Sequence, residues 1–153
     1  MKLVPAILGA GFVAGLGDIA YACIHYKVAR NIEPEAILQS IAAGLVGQDA
    51  ASQGGWSTAG MGLAAHFVIA LVMAAVFILV AQLLPPIKRF WQISGPLYGL
   101  SLMFLMNTVI VPMSAAGGPG ELPKGEFLYG AIFAHTILVG LVIGWFANRV
   151  RKS

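Results

Sequence analysis

Charge is what this chain has least of. Only 10% of its residues are Asp, Glu, Lys or Arg, against about 25% in an ordinary soluble domain, so the sequence has no means of covering a globular surface with polar groups. Cysteine is nearly absent too. Cys23 stands alone inside an apolar run, which excludes an intramolecular disulfide and any CxxC redox or zinc motif. There is no glycine-rich phosphate loop and no spacing that suggests a nucleophilic triad, and both gaps argue against an enzyme. Ser57, Thr58 and Ser94 read as helix-end residues. The formal charge of +3 and pI near 9.3 do not imply nucleic acid, because the basic residues are scattered beside the ends of apolar runs and form no soluble basic face.

What is present is apolar: 59% of the residues are hydrophobic and the mean hydropathy is +0.86. Four stretches dominate, about 4–26, 56–84, 90–111 and 127–147. Each is long enough for a helix of roughly 20 residues to cross the ~30 Å hydrocarbon core. The reading is an all-α integral membrane protein, a single four-span domain over residues 1–153, in contact with the lipid bilayer. If the N terminus is cytoplasmic, then Lys2, Lys88, Arg89, Arg149, Arg151 and Lys152 are all inside and only Lys27, Arg30 and Lys124 are outside. This satisfies the positive-inside rule and predicts that both termini are cytoplasmic. Ala20-Tyr21-Ala22 resembles a signal-peptide cleavage site, but Asp18 in the apolar core opposes that reading.

Between the first two spans, Pro34 at a helix start beside Glu33 and Glu35 opens an apolar-faced run that Gly47 closes. It predicts a short amphipathic outer helix over 34–46, lying along the interface or dipping in to cap a four-helix bundle. Pro85-Pro86-Ile87-Lys88-Arg89 predicts a tight turn between spans two and three, and the region from Ser114 to Gly125 a turn-rich loop. His66 and Phe77 recur at the same spacing as His135 and Phe146, which suggests a 2+2 parallel repeat. GxxxG pairs at Gly11 and Gly15, Gly95 and Gly99, and Gly140 and Gly144 predict close helix packing within the bundle. Gly140 and Gly144, set away from His135, are also candidates for a neighbouring subunit in a homo-oligomer or larger membrane complex.

Polar residues inside the spans are few and suggest a site. At ~1.5 Å per residue, Asp18, His66 and His135 fall roughly 12 to 14 Å below the outer edge, with Asn107 somewhat shallower. His25 lies one to two turns further out on the face of Gly11, Ala14, Gly15, Asp18 and Ala22, as an entrance residue. An ionisable residue facing lipid costs ~2.5 to 3.5 kcal/mol or more, so these should point inward and meet. Several chemistries fit such a layer. It suits a path for proton-coupled or small-solute movement. Alternatively, His66, His135 and Asp18 could bind a divalent metal, or the two histidines a haem, although neither cofactor is favoured. The same residues could instead be interhelical bolts in a structural subunit.

From about Gly60 onward the chain resembles the YagU-like family of bacterial inner-membrane proteins. The resemblance rests on the pattern around His66, on Pro85, Ile87-Lys88 and Trp91-Gln92, on Pro112 and Pro119, and on Ile132-Phe133 with His135. It implies a multi-pass protein of the bacterial inner membrane and gives weight to His66 and His135, but it supplies no substrate. The segment before Gln53 and the residue Asn107 depart from the family pattern.

Overall fold

A computed structural model describes residues 1–151; Lys152, counted above among the inner charges, and Ser153 lie outside the described residues. Among the described residues all regular structure is helical: α1 (Leu3–Arg30), α2 (Pro34–Val46), α3 (Gln48–Gln53), α4 (Gly55–Leu83), α5 (Pro85–Arg89), α6 (Trp91–Met113) and α7 (Glu126–Arg149). Helices α1, α4, α6 and α7 are each long and apolar enough to cross a membrane. They coincide with the four predicted stretches to within a few residues. Proline at the first turn starts α2 as expected, and the turn at Pro85-Pro86 contains one further short helix, α5.

The core is made of small residues. Ala6, Ala10, Ala14, Ala74, Ala81 and Ala147 are buried, while Ile78 and Ile143 are the largest side chains fully enclosed. Val4, Leu8, Phe12 and Leu16 of α1, like Val68, Val72 and Val76 of α4, are exposed. This arrangement fits a protein in lipid, where a large apolar side chain gains nothing by turning inward and association depends on the close approach of backbones.

Glycine seams provide that approach. Gly11 sits against the backbone of Leu71, and Gly15 against Ala70 and Phe67, which locks α1 onto α4. On the other side, Gly95 is so close to α7 that a β-carbon there would lie 2.5 Å from the Gly140 carbonyl, and one at Gly99 would overlap the His135 carbonyl. Gly140 and Gly144 are therefore covered by α6. This agrees with close packing within the bundle and goes against the alternative that these two glycines serve a neighbouring subunit: the surface turned away from the histidine still meets another helix of the same chain.

Helix α2 also departs from a plain surface helix. Its backbone at Leu38 abuts Gly62 of α4, its Ala42 and Ala43 are buried, and Gln39 donates to the Gly55 carbonyl at 3.1 Å. Small residues on both partners let it lie directly on α4. Helix α3 returns the chain, held where the Thr58 hydroxyl donates to the Ala51 carbonyl at 2.6 Å.

The basic residues divide between the two ends of the molecule. The Lys88 ammonium donates to the Val150 carbonyl and to Gln82, and the Arg151 amide donates to the Met1 carbonyl, so Met1, Lys88 and Arg149 to Arg151 meet at one end. Lys27, paired with Glu33, and Arg30 lie at the far end of α1.

Candidate functional site

Small residues pack α1 and α4 so that their polar groups open onto shared space. Along α1, Ala14 and Gly15 are packed while Asp18, Ala22 and His25 open onto cavities. Along α4, Ala59, Gly62 and Ala70 are packed while His66 and Met73 open inward. Asp18, His66, Asn107 and His135 line one cavity of about 240 Å³, with Ile41 of α2 among its other walls. His25 lines an adjoining cavity of about 190 Å³, which shares Asp18, Asn107 and His135 with the first. All five residues expected from sequence are thus connected, with Asp18 at the junction.

The hydrogen bonds fix what each group can offer. His66 places Nε2 2.8 Å from the Gly15 carbonyl on α1, and His135 places Nδ1 3.0 Å from the Ala131 carbonyl of its own helix. A carbonyl oxygen only accepts, so these two nitrogens are the donors. Nδ1 of His66 and Nε2 of His135 make no hydrogen bond among the described residues. Asn107 spends its amide on the Met103 carbonyl at 2.8 Å and keeps its oxygen. Asp18 takes part in no hydrogen bond or ion pair among the described residues.

Both α6 and α7 widen at this layer. Residues Met106–Ile110 and Ala134–Leu141 are π-helical, and they contain Asn107 and His135 respectively. A side chain that donates to the carbonyl four residues back competes with the backbone for it and loosens the helix. Two such side chains follow one another at each place. Asn107 and Thr108 bond Met103 and Phe104, and His135 and Thr136 bond Ala131 and Ile132. Ser101, which back-bonds to Leu97 alone, leaves its helix regular. Single-turn π distortions within α-helices concentrate at functional sites.

The entrance is aromatic, a feature the sequence reading missed apart from His25. His25 stacks on Tyr21 at 5.4 Å between ring centroids and meets the edge of Phe127 at 5.2 Å, with its Nε2 buried and unpartnered. Gly130 makes room for it, since a β-carbon there would approach that nitrogen to 3.1 Å. Tyr21 stands one helical turn before His25, which is the sequence signal for this cluster. Beyond Tyr26 and Phe127 a third cavity, about 420 Å³, opens among Arg30, Glu121 and Lys124. There Glu121 and Lys124 pair at 2.7 Å; the Lys124 hydrogen bond and charge lower the Glu121 pKa, and Glu121 raises that of Lys124. Both are exposed, so the pair is a solvated clasp of small energetic weight.

No group of three or more His, Cys, Asp or Glu among the described residues is close enough to hold a metal ion. His66, His135 and Asp18 share a cavity without forming a ligand set. No family model matches the chain, and no curated protein or solved structure is significantly similar to it.

Proposed function

We propose that this protein is a non-enzymatic, multi-pass protein of the bacterial inner membrane, like the YagU-like proteins it resembles, and that its inward polar layer takes part in proton-coupled or small-solute movement. One observation carries the reading: three adjoining cavities lead from the mouth at Arg30 and Lys124 past His25 to Asp18, His66, Asn107 and His135. Beyond that layer Ala10, Ala74, Ile78, Ala81 and Ala147 belong to one buried apolar cluster. The arrangement supports a pathway with access from one side to three proton acceptors, Asp18, His66 and His135, and with a closed far side. Passage then requires the alanine-packed end to part, and the widened stretches of α6 and α7 beside it are suited to shift.

The wider architecture belongs to the same proposal. The four long helices form a bundle with both termini in the cytoplasm, and α1–α4 and α6–α7 are parallel repeats. In support, Gly11 rests on Leu71, five residues past His66, and Gly95 rests on Gly140, five residues past His135. Any homo-oligomer or larger complex is built through exposed Val, Leu and Phe faces, since the glycine seams are used within the chain. Reconstituted into liposomes, the protein should dissipate an imposed pH gradient faster than protein-free vesicles, and Asp18→Asn should return the rate to the protein-free value. Equal rates with and without protein across a range of pH would sink the reading.

A further inference from the structure

We infer that the Asp18 cavity is a binding site for a small organic cation, a substituted ammonium or guanidinium; the inference rests on the movement reading above and names the chemical class of its solute. Asp18 is the only acidic residue lining either inner cavity, and no lysine or arginine lines them. The titratable groups that share those walls with it are Tyr21, His25 and Tyr26 on α1, His66 on α4 and His135 on α7. None of them is a fixed cation. The Asp18 carboxylate takes part in no hydrogen bond or ion pair among the described residues, so in its ionised form it presents an unopposed negative charge to a cation in the cavity.

The surrounding side chains select the kind of partner. A small inorganic cation wants several oxygen ligands, whereas the cavity that Asp18 shares with His25 is also walled by the rings of Tyr21, Tyr26 and Phe127. Aromatic rings attract cations through the negative potential of their faces, and an apolar, substituted cation also gains by contact with carbon. The protein already makes such a contact at the entrance, where the Arg30 guanidinium lies 4.8 Å from the centre of the Phe127 ring. Lys27 and Lys124 are neutralised by Glu33 and Glu121, so Arg30 is the single uncompensated charge a cation passes at the mouth. The deeper wall of Ile69, Met73 and Val139 accommodates the apolar substituents.

The test is equilibrium binding to the purified protein in neutral detergent, by calorimetry, with tetraethylammonium as probe and benzenesulfonate as its anionic counterpart. Saturable binding of one tetraethylammonium per chain is expected, lost in Asp18→Asn and weakened about 3- to 30-fold in Phe127→Leu, with benzenesulfonate not bound. Thermal unfolding of each variant establishes that it is folded, and Phe127→Leu carries the test if Asp18→Asn does not fold. No binding, binding unaltered in the folded variants, or displacement by an equal concentration of potassium would overturn the inference. So would binding of benzenesulfonate that disappears in Arg30→Gln. Binding does not require transport, so proton flux without cation binding sinks this inference alone, and cation binding without flux sinks only the movement reading.

Discussion

The α1–α4 pair and the α6–α7 pair are closed by glycines at matching places, yet they treat their histidines in opposite ways. Gly11 meets Leu71 as Gly95 meets Gly140. In the first pair α4 stays regular and His66 reaches across to the Gly15 carbonyl, tying two helices together. In the second, α7 is widened and His135 bonds within its own helix. The contrast separates two duties of a polar residue in an apolar setting. One histidine holds the helix pair together, and the other adjusts the shape of a single helix beside the cavity.

The seams themselves offer the strongest way to break the comparison. At Gly99 an added β-carbon would overlap the backbone carbonyl of His135, which cannot move without shifting α7. At Gly15 it would meet the Ala70 β-carbon at 3.0 Å and the Phe67 ring at 3.1 Å, and the ring can turn. Gly99→Ala should therefore cost about 3 kcal/mol, the top of the usual overpacking range. Gly15→Ala should stay within about 1 kcal/mol, because the gain in helix propensity offsets part of the crowding. Thermal unfolding in detergent measures both. Equal losses would mean that the two seams are equally rigid and that the distinction between backbone and side-chain contact decides nothing.

A smaller effect separates the two histidines. His66→Leu removes the hydrogen bond between α1 and α4, and interhelical bonds of this kind in membrane proteins contribute about 0.6 kcal/mol on average and up to about 1.7. His135→Leu removes a bond inside one helix and should cost less. If His66→Leu is neutral or stabilising in the same unfolding assay, the Gly15 contact is not what keeps α1 in register on α4.

Much of this was legible before any coordinates. The limits of α2 follow from Pro34 and Gly47, and the shared layer of Asp18, His66, Asn107 and His135 follows from helical rise and the cost of turning such groups to lipid. The partner of each glycine was not legible. Small size says that a helix can be approached closely, but Gly140 would look the same facing α6 or another subunit. The entrance cluster was hidden for a related reason, since Phe127 joins Tyr21 and His25 only through the packing of α7 on α1. The two widened stretches did leave a trace. Asn107-Thr108 and His135-Thr136 are adjacent pairs able to bond four residues back, in helices that are otherwise almost wholly apolar.

Thr136 provides the finest test of how that trace works. Its hydroxyl donates to the Ile132 carbonyl at 2.6 Å, one residue after His135 makes the same kind of bond to Ala131. Valine matches threonine closely in shape and keeps the branched β-carbon, so Thr136→Val deletes the donor with little change in packing. Only the local bond is lost, and Ile132 still has its backbone within a helix, so the stability cost should be about 0.5 kcal/mol. The informative change lies in amide exchange. If paired back-bonding is what opens α7, amides between Ala134 and Leu141 should exchange more slowly in the variant as the backbone reclaims its carbonyls, while the matching stretch of α4 after His66, where Phe67 occupies the corresponding place, should not change. Unaltered exchange in α7 would assign its widening to the close approach of α6 at Gly99 and Gly140, and the contrast between the two helix pairs would then lie in their glycines alone.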